Sequence, residues 1–182
     1  MSFTVKKIPA CTFTPKSSIY AFSGWATSAS GAVAVKNNGT LTVKDTSGEQ
    51  AGKIISTKYA GIGAGDNSTT IFESGNIESV EGAIITGKVV GATITINGGT
   101  LSASDNAVIM GNGSARDGNA NTITINGGIF NGQIKSSGYV ACGIYAPWKD
   151  VITVNGGTFN ITNGCGVLAR ACSVSINGGE FN

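Results

Sequence analysis

The stretch that decides the fold is Thr93-Ile-Thr-Ile-Asn-Gly-Gly-Thr-Leu101, because close copies of it recur along the second half of the chain. Three further copies are Thr122-Ile-Thr-Ile-Asn-Gly-Gly-Ile-Phe130, Val151-Ile-Thr-Val-Asn-Gly-Gly-Thr-Phe159 and Ser173-Val-Ser-Ile-Asn-Gly-Gly-Glu-Phe181. Self-similarity at a regular spacing is the sequence signature of repeat architectures. The copies therefore predict one structural unit that is built several times over.

Two weaker copies precede these four. Thr70-Ile-Phe-Glu-Ser-Gly-Asn-Ile77 has Glu73 at the position of the repeat asparagine, and Thr40-Leu-Thr-Val-Lys44 has Lys44 there. The asparagine position then recurs every 22 to 29 residues. This spacing predicts about six coils.

Within each copy, apolar and polar residues alternate with period 2, which is the pattern of a β-strand with two different faces. Ile94 and Ile96 share one face, and Thr95 lies on the other. Asn-Gly-Gly then predicts a corner between two strands, because Gly and Asn tolerate the positive φ that a sharp bend requires. β-Branched residues and glycines dominate the copies, which argues against a helix.

A unit of 22 to 29 residues is too short for a strand-helix-strand crossover. It suits one turn of a three-sided parallel β-solenoid, in which each coil covers the apolar face of the next. Equivalent residues of successive coils are then about 4.8 Å apart. We therefore expect an asparagine ladder of Asn97, Asn126, Asn155 and Asn177, and an interior stack of Phe130, Phe159 and Phe181.

Residues 32–182 resemble the right-handed parallel β-helix family, the pectin-lyase-like solenoids, through the Ile-Thr-Ile-Asn-Gly-Gly-Thr-Phe repeat. The resemblance implies an all-β, single-stranded, right-handed parallel β-helix. Such repeats are familiar in bacterial surface proteins and in bacteriophage tailspikes and fibres. The repeat is specific for a solenoid but does not specify an activity.

Composition excludes several classes of function. Histidine is absent from the 182 residues, which removes His-dependent triads and most catalytic zinc sites. The net charge of +2 is too small to support nucleic-acid binding. No apolar run approaches the roughly 20 residues of a membrane-spanning helix. Hydrophobic residues make up 41% of the chain, which is enough for a packed core.

Residues 1–31 break the repeat pattern, and we interpret them as an N-terminal cap or attachment segment. They are followed by the solenoid, residues 32–182. No apolar stretch of signal-peptide length follows Lys7, so we expect no secretory signal in this sequence. The last repeat has no capping sequence after it, so we expect either truncation or cover by another chain or domain at this end. The basic and aromatic residues expected to contact a partner are Lys6, Lys7, Phe13, Lys16, Tyr20, Phe22 and Trp25.

No motif predicts a catalytic or metal site. Polysaccharide-cleaving β-helix enzymes use clustered acids, yet no close acidic pair occurs here, and we expect Glu73, Glu78 and Glu81 on the solvated face. The four cysteines lack metal-ligand spacing and are expected to be buried free thiols. The glycine-rich segment from Gly61 to Asn67 is interpreted as a loop between coils, without phosphate or calcium. We therefore expect no catalytic residue, no metal and no cofactor.

Three other features have competing interpretations. Tyr139, Tyr145 and Trp148 either pack in the core or corners, or form a glycan- or partner-binding surface. The polar segment 111–121 is either a functional loop or a simple connection. The outward Thr-x-Thr pairs are typical of ice-binding solenoids, although threonine is also a common strand residue.

The expected function is a non-enzymatic structural or adhesion protein, namely a bacteriophage virion component such as a fibre, spike or capsid decoration. The expected partners are a virion or cell-surface protein at the N-terminal segment, a second copy of the chain and a host glycan, with no nucleic acid and no membrane span. The alternative is a fragment of a bacterial cell-surface or secreted adhesin. A polysaccharide-degrading enzyme and an ice-binding protein are disfavoured.

Overall fold

The computed structural model describes residues 33–46, 52–112, 118–133 and 141–182. All the regular secondary structure in these ranges is β-strand, as the repeat predicts. The strands form three parallel sheets, each of six strands, and successive strands along the chain belong to successive sheets. The chain is thus wound as a three-sided parallel β-solenoid.

The sheets are named A, B and C in chain order. Sheet A contains β1 (Val33–Asn37), β4 (Ala60–Ala64), β7 (Gly82–Gly87), β10 (Ile109–Asn112), β13 (Cys142–Ala146) and β16 (Cys165–Ala169). Sheet B contains β2 (Thr40–Val43), β5 (Thr69–Phe72), β8 (Thr93–Ile96), β11 (Thr122–Ile125), β14 (Val151–Val154) and β17 (Ser173–Ile176). Sheet C contains β3 (Lys53–Ile55), β6 (Asn76–Ser79), β9 (Thr100–Ala103), β12 (Ile129–Gln133), β15 (Thr158–Thr162) and β18 (Glu180–Phe181).

The register of the strands follows the sequence repeat. Ile123 pairs with Ile94 on one side and with Ile152 on the other, and Phe130 pairs with Leu101 and Phe159. Six strands in each sheet agree with the expected number of coils. The architecture predicted from the repeat is confirmed, while its right-handed winding stays a prediction.

The core consists of the inward side chains of the three sheets. The six inward side chains expected to be buried all are: Ile123, Ile125, Phe130, Ile152, Val154 and Phe159. The aromatic stack is also present, with ring centroids 4.5 Å apart for Phe130 and Phe159 and 4.7 Å apart for Phe159 and Phe181. Thr124 and Thr153 lie on the outer face as expected but are only half-buried, because the threonines of neighbouring coils pack beside them.

The two glycines of each Asn-Gly-Gly corner have different roles. The second glycine has a positive φ, between +77° at Gly99 and +108° at Gly179. The first glycine lies against the coil below, where a Cβ on Gly127 would be only 2.9 Å from the carbonyl oxygen of Asn97. The corner therefore needs one glycine for its backbone angle and one for the close approach of two coils.

The interpretation of the glycine-rich segment from Gly61 to Asn67 as a loop is wrong, because most of it is strand β4. A Cβ on Gly61 would overlap the side chain of Ile77 and lie 2.7 Å from the carbonyl oxygen of Ala83. The absence of a side chain at Gly61 thus allows β4 to lie close to Ile77 of sheet C and to Ala83 of the next strand in sheet A. Only the end of the segment is a turn, where Asn67 has a φ of +54°.

Candidate functional site

An asparagine ladder runs along the corner between sheets B and C. The Nδ2 of each asparagine donates to the Oδ1 of the preceding one: Asn126 to Asn97 at 2.8 Å, Asn155 to Asn126 at 2.9 Å and Asn177 to Asn155 at 2.8 Å. Asn97 in turn donates to Oε1 of Glu73 at 3.0 Å, so the glutamate occupies the asparagine position as predicted. The predicted structural ladder is confirmed. Its side-chain amides already bind one another, so we assign the ladder a role in coil stacking.

A second polar column, which the sequence analysis missed, lies on sheet C. Asn131 donates to Oγ of Ser102 at 3.4 Å, and Asn160 donates to Oδ1 of Asn131 at 3.0 Å. Asn182 continues the column through a bond of 3.0 Å to Asn160. A signal for it was present, because Asn131, Asn160 and Asn182 each follow a corner asparagine by the same offset.

This second column forms one wall of an open groove of about 460 Å³ along sheet C. The other lining residues include Glu78, Ser104, Gln133 and Thr162. The side chains of Gln133 and Thr162 are exposed, so amide and hydroxyl groups face the solvent there. We call this surface, defined by Ser102, Asn131, Gln133, Asn160 and Thr162, the amide groove.

The charge at one end of the amide groove is neutralised. Oε1 of Glu78 lies 2.7 Å from Nζ of Lys53, and both side chains are about half exposed. An exposed ion pair of this kind contributes roughly 0–1 kcal/mol to stability. Its main effect is that the groove offers hydrogen-bonding groups with little net charge.

The acidic residues occupy different environments. Glu78 is exposed, as expected, whereas Glu73 and Glu81 are half-buried, Glu73 in the asparagine ladder and Glu81 at the corner that follows β6. Burial raises the pKa of the Glu81 carboxyl, and the charge of Asp105 from the next coil raises it further. Asp105 is thus close enough to influence Glu81 although the two residues are far apart in the sequence. No pattern in the sequence indicates that Glu81 and Asp105 lie close together.

None of the three cysteines with described positions forms a disulfide bond. Cys142 is buried, and Cys165 and Cys172 are half-buried. Cys142 and Cys165 pair in adjacent strands. Burial, together with the nearby Cys165, raises the pKa of Cys142 to about 12. All three thiols therefore resist ionisation at neutral pH, since burial raises the pKa of Cys165 and Cys172 as well.

A buried polar contact joins two coils at the corner between sheets A and B. Nδ2 of Asn121 donates to Oδ1 of Asp150 at 3.1 Å, and its Oδ1 accepts from the backbone N–H of Ala92 at 2.9 Å. Asn121 and Asp150 are each only 1% exposed. This contact satisfies buried polar groups and offers no access to a ligand.

Several of the predicted contact residues lie outside the described residues. These are Lys6, Lys7, Phe13, Lys16, Tyr20, Phe22 and Trp25 of the attachment segment, and Tyr139 of the aromatic surface. Tyr145 is half-buried in β13 and pairs with Met110 and Leu168. Trp148 is half-buried in the turn before β14, and its buried Nε1 has no hydrogen-bond partner among the described residues. The role of these aromatic side chains as a binding surface stays a prediction.

Comparisons with known proteins add no family to this description. No protein-family model matches the chain, and neither a curated protein nor a solved structure is significantly similar to it. Within the described residues, no group of three or more Cys, Asp or Glu side chains is arranged to hold a metal ion. Those residues also contain no helix that is long and apolar enough to cross a membrane. The class of the protein is therefore given by its fold, a three-sided parallel β-solenoid.

Proposed function

We propose that the protein is a non-enzymatic structural and adhesion component of a bacteriophage virion, attached through residues 1–31. The observation that carries this proposal is the continuity of the solenoid. The three sheets, the asparagine ladder and the stacked phenylalanines all run through successive coils. A stiff rod of this kind suits a fibre, spike or capsid decoration that projects from a particle.

The amide groove supports the adhesive part of the proposal. Exposed amides and hydroxyls donate and accept hydrogen bonds, which is the chemistry that recognises the hydroxyl groups of a neutral glycan. The side chains of the groove repeat once per coil, so an extended polysaccharide can contact several coils at once. Asn131 and Asn160 are held by hydrogen bonds along the second polar column, and this preorganisation lowers the entropic cost of binding.

Binding without cleavage is supported by the state of the acid that lines the amide groove. Glu78, the acid in the lining of the groove, forms an ion pair with Lys53. Hydrolysis of glycosides generally uses two carboxyl groups on opposite sides of the bond that is cleaved. The same groove would also suit the alternative function, a fragment of a bacterial adhesin.

The location of the protein separates these two alternatives. An antibody raised against residues 33–182 is expected to label density-gradient-purified bacteriophage particles from a culture that expresses the protein. The same antibody should not label the washed surface of uninfected cells. Labelling of the uninfected cell surface together with unlabelled particles would replace the virion role by the adhesin role.

Glycan binding is tested with the purified chain and a panel of neutral bacterial polysaccharides. We expect binding without any release of reducing ends. The double variant Gln133→Ala/Thr162→Ala should weaken binding about thirtyfold, because it removes two hydrogen bonds that are each worth roughly 1 kcal/mol. Thr124→Ala, on sheet B away from the groove, is the matched control and should bind normally. Equal binding by both variants would exclude the amide groove, and release of reducing ends would indicate an enzyme.

A further inference from the structure

The column of outward side chains beside the amide groove contains an exposed isoleucine between two threonines. Ile129 pairs with Thr100 in the preceding coil and with Thr158 in the following coil. Its side chain is 43% exposed, whereas both threonines are half-buried. The two threonines show that the fold accepts a hydroxyl side chain at this position of sheet C. Packing of the coils therefore does not require an isoleucine here, and its apolar surface is available to a ligand.

The two asparagines beside this isoleucine retain hydrogen-bonding capacity. A side-chain amide has two N–H donors and an oxygen with two lone pairs. Asn131 donates one N–H to Ser102 and accepts one hydrogen bond from Asn160. Asn160 accepts in turn from Asn182. One N–H and one lone pair of each of these two amides are therefore not used by any of the described residues.

These groups lie at the corners of a small rectangle on the outer face of sheet C. Ile129 and Asn131 are two positions apart in β12, so they project to the same side and are about 6.6 Å apart. Thr158 and Asn160 are their partners in β15, about 4.8 Å away in the next coil. We call these four residues the Ile129 subsite. It combines one apolar side chain, one hydroxyl and two amides.

We propose that the Ile129 subsite binds the acetamido group of an N-acetylated amino sugar. This inference rests on the proposed function, because it names the sugar that the amide groove recognises. An acetamido group combines a methyl group, a carbonyl oxygen and an N–H. The methyl group packs on Ile129, the carbonyl oxygen accepts the unused N–H of Asn131, and the N–H donates to the hydroxyl of Thr158. A sugar with a hydroxyl in place of the acetamido group leaves Ile129 exposed to water.

Charge separates the acetamido group from the other common substituents of amino and acidic sugars. None of the four residues of the Ile129 subsite is charged, and Glu78 in the adjacent groove is paired with Lys53. The ammonium group of a deacetylated sugar or the carboxylate of an acidic sugar would lose water here without gaining an ion pair. The acetamido group is uncharged, so it avoids this cost.

Calorimetric titration with two matched oligosaccharides tests the subsite on the unaltered chain. One is a water-soluble chitin hexamer, which consists of N-acetylglucosamine. The other is cellohexaose, which has the same backbone with hydroxyl groups in place of the acetamido groups. We expect the chitin hexamer to bind about tenfold more tightly or better, because a methyl contact and a hydrogen bond are added. Equal affinity for the two oligosaccharides would overturn the proposal.

Two substitutions by threonine separate the subsite from a general effect of exposed aliphatic residues. Ile129→Thr introduces the residue that both neighbouring coils have, so the fold should be unchanged by circular dichroism. We expect it to bind the chitin hexamer about fourfold more weakly, the loss of one methyl contact, and to bind cellohexaose normally. Val151→Thr is the matched control, because Val151 is 40% exposed on sheet B between Thr122 and Ser173. It should bind both oligosaccharides as the unaltered chain does.

The outcomes distinguish failure of this inference from failure of the proposed function. Normal binding of the chitin hexamer by Ile129→Thr would overturn the subsite, and so would equal weakening by Val151→Thr. If only polysaccharides without acetamido groups bind, and Gln133→Ala/Thr162→Ala weakens that binding, the amide groove keeps its adhesive function while the subsite is excluded. Binding of no neutral polysaccharide would exclude both.

Discussion

Phe159→Ala is expected to lower the free energy of unfolding by about 3–5 kcal/mol, the range for removal of a buried aromatic side chain. Phe159 is fully buried and lies between two other rings, with centroids 4.5 Å from Phe130 and 4.7 Å from Phe181. The regular backbone of the coils on both sides limits collapse into the space left by the ring. Denaturant unfolding followed by circular dichroism at the β-sheet band measures the change.

Phe181→Ala is the matched control for this prediction. Its ring stacks on Phe159 alone and is 42% exposed, so its removal costs less apolar burial and fewer contacts. We expect a cost well below that of Phe159→Ala. A cost under about 1 kcal/mol for Phe159→Ala would mean that this side chain does not contribute to the core as a buried aromatic residue does.

Sheets B and C could be predicted from the sequence because their strands alternate apolar and polar residues. In Thr122-Ile-Thr-Ile125, for example, the isoleucines are buried and the threonines face outward. The corner asparagines fixed the register, since a shift by one residue would exchange the two faces. The hydrogen bonds of the ladder and the stacked phenylalanines follow directly from that register.

Sheet A was harder to predict because close packing replaces alternation in its strands. β4 reads Ala-Gly-Ile-Gly-Ala, and all five residues are buried. Glycine at Gly61 and Gly143 is required by the side chains of Ile77 and Phe159, which come from sheet C and are distant in the sequence. A pattern in one strand cannot reveal a constraint that another strand imposes.

The candidate site was only partly predictable for a related reason. The asparagines of the amide groove stand at a regular offset in the sequence and are identical in each copy. Gln133 and Thr162 also share one offset from their corner asparagines, but they are different residue types, so no repeated residue marks their position. Glu81 and Asp105 likewise meet only because successive coils stack. Outward side chains of a solenoid can vary without loss of the fold, so the repeat marks only those outward positions at which the same residue type recurs.

The last prediction concerns the second glycine of a corner: Gly99→Ala should cost about 3 kcal/mol or more in the free energy of unfolding. Gly99 has a φ of +77°, and a Cβ there would be 2.6 Å from both the carbonyl oxygen of Gly75 and the ring of Phe72. Strain at a positive φ costs about 1–3 kcal/mol, and overpacking typically adds 1–3 kcal/mol.

Gly87→Ala separates the two causes, because Gly87 has a φ of +58° but no atom within 4 Å of the added Cβ. Denaturant unfolding of both variants should give about 1–2 kcal/mol for Gly87→Ala, the cost of the backbone angle alone. Equal costs would show that contact between coils does not require glycine at this corner.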